Sequence, residues 1–119
     1  MKYVDGYILP VPKKNLKAYK KMAQMGCKTW KKYGALDYKE CIGDDLNTKW
    51  GIPFPKTFKL KKGEIMVFSY IVFKSKAHRN TVNAKVMKEM MNDPAMTEKQ
   101  MPFDMKRMSY GGFQVIVDY

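Results

Sequence analysis

Residues 3–12 open the chain with a run rich in aromatic and branched side chains: Tyr3, Val4, Tyr7, Ile8, Leu9 and Val11. Such a run predicts a strand. Pro10 and Pro12 are expected to end it, because proline lacks a backbone donor. The period then changes. Leu16, Tyr19, Ala23, Cys27 and Trp30 recur at three- and four-residue steps, with Gly26 on the same stripe and lysines on much of the other face. This is the signature of an amphipathic helix. Asn15 stands where a cap belongs, and Gly34 can close the helix in a left-handed conformation.

Alternation returns over 35–43. Leu36, Tyr38, Glu40 and Ile42 would face one way, and Ala35, Asp37, Lys39 and Cys41 the other. Residues 44–56 read as a loop. Residues 57–61 look extended, and Lys62-Gly63 predicts a tight turn into a strand over 64–73. Ser75 can cap a second helix over roughly 76–91, striped by Val82, Val86 and Met90, with Met87 beside them. Asn92-Asp93-Pro94 breaks that pattern, and Pro94 suits the first turn of a short third helix capped by Asp93. Residues 106–118 predict a last strand. The resulting order is βαβ(β)βαβ, with no repeat and no linker, so 1–119 is expected to form a single α+β domain.

The 64–73 strand is apolar on both faces. Ile65, Val67, Ile71 and Phe73 lie on one side with Ser69; Met66, Phe68, Tyr70 and Val72 lie on the other. Two helices cover only one face of a sheet, and soluble monomers avoid large exposed apolar patches. The second face is therefore expected to pack on another copy of the chain. Each large side chain buried there would contribute about 1.5–3 kcal/mol. The alternative is a groove filled by a ligand or another protein.

Composition narrows the function classes. In 119 residues, 23 are basic and 11 acidic, giving a formal charge of +12. A polyanion such as nucleic acid is one reading. A lysine-rich solvated surface is the other. It is favoured because only Arg79 and Arg107 are arginines, the residue suited to phosphate forks. No stretch is apolar enough to span a bilayer, and the N-terminus lacks a signal-peptide pattern, so a cytoplasmic protein with no membrane partner is expected. Cys27 and Cys41 have no metal-ligand spacing and are expected to act as small buried hydrophobes. His78, the single histidine, falls in the first turn of the second helix as a solvated or capping residue. Neither a metal site nor a cofactor is expected. Of the eleven methionines, most lie between Met87 and Met108. They are expected to fill core gaps, although such a face can also bind adaptably.

Polar residues on buried strands are the candidates for chemistry. Asp5 is flanked by Tyr3 and Tyr7 on its own face, and Glu40 by Tyr38 and Ile42. A carboxylate in an apolar setting would have a raised pKa and could act as an acid or base; a solvent-facing strand end, or a structural ion pair with Arg107 or a lysine, is the competing role. Tyr70 and Tyr110 could offer phenols to a substrate, or hydrogen-bond internally. Trp50, with Pro53, Phe54 and Pro55, could form a pocket lid or equally a loop pinned by apolar contacts. Arg107 could hold Asp104 or a substrate carboxylate. Arg79 and Asn83 share a face of the second helix. The ligand-pocket candidates are thus Asp5, Tyr7, Glu40, Trp50, Tyr70, Arg107 and Tyr110.

Four blocks carry a resemblance: YVDGYILPVPKKNLKAYKKMA (3–23), YGALDYKEC (33–41), VFSYIVFKSKAHRN (67–80) and MPFDMKRMSYGGF (101–113). Each is similar to the corresponding block of the YbaA-like family, and the last is the most specific. Its Gly111-Gly112 pair, within a strand, signals a bulge or a close backbone approach. The resemblance implies a ferredoxin-like βαββαβ sandwich, an antiparallel sheet with helices on one face, and two subunits joined sheet to sheet as a homodimeric α+β barrel. The wider barrel class includes cofactor-free monooxygenases, haem-handling enzymes and isomerases, with activity in a pocket between sheet and helices. The expected function is binding of a small organic molecule there, with oxygenase or isomerase chemistry by class analogy alone. The alternative is a non-catalytic protein that uses its basic surface on nucleic acid.

Overall fold

The computed structural model describes residues 1–93 and 101–119. Strand β1 (Tyr3–Pro12) leads into helix α1 (Leu16–Lys32), strand β2 (Asp37–Ile42), the short helix α2 (Phe54–Phe58), strand β3 (Glu64–Phe73), helix α3 (Lys76–Met91) and strand β4 (Ser109–Gln114). The four strands form one antiparallel sheet in the order β2-β3-β1-β4. α1 and α3 cover one face. This is a ferredoxin-like α+β fold, as the pattern of elements and the resemblance imply.

Register explains the prolines. Val115 N–H donates to Lys2 C=O on the β4 side, and Lys13 N–H donates to Gly63 C=O on the β3 side. Alternation along β1 therefore turns Pro10 and Pro12 toward the β4 side. β4 stops opposite Ile8, so neither proline deprives the sheet of a bond. Pairing with β3 continues through Pro12. The prolines end one ladder and leave the other intact.

The expected strand over 57–61 does not form. β3 already has β2 on one side and β1 on the other, so a hairpin partner has no edge to join. Instead Pro53-Phe54-Pro55 starts a helical turn, with Lys56 and Thr57 N–H both donating to Pro53 C=O, and Lys59 closes it in the left-handed region. The last strand is also shorter than 106–118. Met105–Arg107 form a single 3-10 turn, and past Gln114 the partner β1 has ended, so Ile116 and Val117 are exposed. The expected short helix at Pro94 lies outside the described residues.

Gly34, just past α1, has φ +110. Ser75 Oγ accepts from His78 N–H, and His78 Nδ1 accepts from Lys74 N–H, so His78 is part of the α3 cap. Asn15 precedes α1 without capping it by side chain; its Nδ2 instead donates to Pro102 C=O. Of the cysteines, Cys27 is half-buried and Cys41 exposed, so Cys41 is not the buried hydrophobe expected. Among the described residues no helix is long and apolar enough to cross a membrane.

The core is in two parts. Leu9, Val11, Tyr19, Ala23 and Val67 pack at one end of the helix-covered face. Trp30, Ile71, Phe73, Val82 and Val86 pack at the other. On the opposite face, Phe68 and Phe113 are 45% and 62% exposed. Part of that face is overlaid by the chain's own 43–58 segment, where Leu46 and Phe54 approach Ile8, Met66 and Phe68.

Candidate functional site

What separates the two halves of the core is a polar row. On the helix-covered face, Glu40 pairs with Ser69, Ser69 with Tyr7, and Tyr7 with Tyr110, so the row crosses all four strands. The next row is Tyr38, Ile71, Asp5 and Gly112. Above these rows α1 and α3 leave a cavity of about 690 Å³. Among the described residues its walls carry six methionines: Met22 from α1, Met87 and Met90 from α3, and Met101, Met105 and Met108 from the segment before β4. Long unbranched thioethers fill such a rim while leaving it deformable.

Among the described residues two carboxylates enter the cavity, each held differently. Asp5 is 3% exposed. Its Oδ2 accepts from Asn83 Nδ2 at 3.0 Å, and Asn83 Oδ1 in turn accepts from Trp30 Nε1 at 3.0 Å. Asp5 Oδ1 lies 3.6 Å from Arg79 Nε, which is an ion pair without a hydrogen bond. That Nε is the buried side-chain polar atom left without a partner among the described residues. Arg79 is fixed from its other side by Tyr3: it lies 4.9 Å from the ring centre and donates to the hydroxyl at 3.2 Å. β1, α1 and α3 are thereby tied together through one buried carboxylate.

Glu40 has no cationic partner among the described residues. Its Oε1 accepts from the Tyr19 hydroxyl at 2.7 Å and its Oε2 from the Tyr38 hydroxyl at 2.6 Å. Gly26 makes this arrangement possible: a Cβ there would stand 3.3 Å from the Tyr38 hydroxyl. Burial, then the charge of Glu40, holds both phenols well above the ordinary tyrosine range. Tyr7 is raised as well, by burial first and then by Asp5 and Tyr110, against an opposing pull from Arg79. Its ring stacks on Tyr110 at 5.7 Å. All three phenols are therefore protonated at neutral pH, and those of Tyr19 and Tyr38 donate to Glu40. A phenol with a raised folded pKa adds stability that is full below about pH 10 and is lost as pH climbs. Absorbance titration at 295 nm should show Tyr7, Tyr19 and Tyr38, of eight tyrosines, ionising only with alkaline unfolding. Complete ionisation near pH 10 with the fold intact would contradict this geometry.

Of the residues singled out from sequence, Asp5, Tyr7, Glu40 and Tyr110 line the cavity together. Trp50 does not; it is 90% exposed in the loop before α2. Tyr70 lies on the opposite face of the sheet, against Phe68. Arg107 is held by Glu64, at 2.5 and 3.1 Å, and by Lys59 C=O rather than by Asp104. Arg79, and not Arg107, is the arginine of Asp5. Tyr19, Tyr38 and Ser69 also line the cavity, beyond the candidates drawn from sequence. Ser69, the one polar residue on the inward side of β3, was the available signal for the polar row.

Within the Gly111-Gly112 pair Gly112 alone makes a close approach, and there is no bulge, since pairing with β1 runs unbroken. A Cβ on Gly112 would come within 2.6 Å of Tyr3 Cε2. The glycine thus lets the Tyr3 ring lie flat beneath Arg79.

A family model described as a protein of unknown function, DUF1428, matches residues 2–105. The chain is 42% identical to the uncharacterized protein YbaA of Escherichia coli K12, over 99% of each chain. The YbaA protein of Shigella flexneri matches to the same degree. Among solved structures, a dimeric ferredoxin-like protein from an uncultured marine organism superposes with a TM-score of 0.61 at 12% identity, covering 99% of this chain and 98% of that one.

Proposed function

The chain belongs to the DUF1428 family of proteins of unknown function, and from that premise we propose that it binds a small, largely apolar organic molecule between sheet and helices. The observation that carries this reading is the cavity of about 690 Å³, in which apolar walls surround Asp5, Glu40, Arg79 and Asn83. That volume and that mixture of many apolar groups with a few converging polar ones are typical of ligand pockets. Glu40 stands where it can accept a proton from a bound substrate, which fits isomerase-type chemistry without a cofactor. The exposed lysines of α1, Lys17, Lys20, Lys21, Lys28, Lys31 and Lys32, lie off the cavity, so the positive charge is a property of the surface and not of the site.

In this reading the working unit is a homodimer formed through the sheet face opposite the helices, beside the part that the 43–58 segment overlays. Phe68 and Phe113 stand there with Val4, Ile8, Tyr70 and Val72. The similar solved protein is described as dimeric, and a second copy would remove this patch from water.

The ligand reading is tested by thermal shift with a panel of aromatic and aliphatic metabolites, on the wild type and on Met22→Trp, which fills the cavity. Compounds that raise the melting temperature of the wild type should do so little or not at all in the variant. Equal shifts in both proteins would place binding elsewhere and overturn the reading.

A further inference from the structure

We infer that the molecule taken into this cavity carries a protonated amine, which Glu40 receives on an apolar, preferably aromatic, body. This rests on the reading of the cavity as a binding site and adds the chemical class of its occupant.

The charges inside decide the sign. Asp5 and Arg79 face each other, so their charges largely offset. The second arginine, Arg107, is engaged by Glu64 outside the cavity. Among the described residues that line the cavity, Glu40 is left as the uncompensated charge. Two phenol donors spread that charge without cancelling it. Each carboxylate oxygen accepts one such bond and keeps a second acceptor position. An ammonium group brings up to three donors and a full positive charge to the same place. A carboxylate or phosphate would meet Glu40 with like charge, and a neutral body would leave it unpaired.

The walls agree. The Tyr7, Tyr110, Tyr38 and Trp30 rings line the cavity, and the faces of such rings attract cations. The protein already uses that attraction once, between Arg79 and Tyr3. Tyr7, in the same row as Glu40, has no hydrogen-bond partner for its hydroxyl among the described residues and can accept from the same ammonium.

Three probes of matched shape separate the possibilities: 2-phenylethylamine, 2-phenylethanol and phenylacetate, titrated calorimetrically at pH 7 into the intact protein. The amine should bind at least tenfold more tightly than the alcohol, and the acid should not bind. Glu40→Gln, with its circular dichroism unchanged, should erase the preference for the amine. Alcohol or acid binding as tightly as the amine would overturn the inference and leave the cavity reading standing. A preference for the amine that survives in Glu40→Gln would overturn the role of Glu40. Failure of all three probes would overturn the cavity reading and this inference with it. If Glu40→Gln does not fold, Tyr38→Phe carries the test: it keeps the carboxylate charged and releases one acceptor position, so amine affinity should hold or rise. A tenfold loss would refute the inference.

Discussion

Asp5→Ala is expected to destabilise the protein by about 3–5 kcal/mol, because it removes one partner of a buried ion pair and leaves the other behind. Asp5 is 3% exposed, and Arg79 opposite it has a buried Nε. Without the carboxylate, the guanidinium keeps only the Tyr3 ring and hydroxyl, and Asn83 loses its acceptor. The melting temperature should fall by roughly 10–20 °C. Asp5→Asn should cost less, since a carbonyl oxygen can still accept from Asn83. The double variant Asp5→Ala with Arg79→Met should recover much of the loss, since most of it is an orphaned charge. Urea denaturation of the four proteins checks all of this. A loss below about 1 kcal/mol in Asp5→Ala would mean that Arg79 finds water or another partner at once.

The second large effect separates two phenylalanines five positions apart on β3. Phe73 is fully buried among Trp30, Ile71, Val82 and Val86. Truncation to alanine removes that packing and leaves a cavity, at about 3–5 kcal/mol. Phe68 faces the other way and is 45% exposed. Phe68→Lys should leave the subunit folded and act on the proposed association: combined with Phe113→Lys, it should give a monomer at micromolar concentration where the wild type is expected to be a dimer. Chemical denaturation reads the first effect, and sedimentation equilibrium the second. An unchanged sedimentation mass for the double lysine variant would rule out the sheet face as the contact.

The same parity rule explains what the sequence made legible. Side chains two apart on a strand share a face, so Asp5 and Tyr7 could be placed together. Glu40 and Tyr110 joined them because inter-strand register happened to align their rows, which no single strand encodes. Tyr70 could have been set aside by parity alone, as Ser69 and Ile71 beside it point inward. Trp50 sits in a loop without a period, so nothing local fixes its direction. Residues 57–61 alternate like a strand, yet pairing depends on a free edge, and β3 had none. Parity also puts Tyr38 beside Glu40, two residues along the same strand; the bond from Tyr19 depends on how α1 lies over β2, and the apolar stripe of α1 gives only its inward side. The Trp30–Asn83–Asp5 chain was half visible, in the four-residue spacing of Arg79 and Asn83, but its anchor on β1 is 78 residues away from Asn83.

The hydrophilic seam between the two oily halves has an evolutionary consequence. The groups that would greet a guest molecule are also the struts that keep helices and sheet aligned. A lineage drifting toward a new substrate cannot adjust preference and sturdiness independently here; most changes along the seam alter both. Diversification is therefore easiest at the thioether rim, where shape can change without unseating a strut.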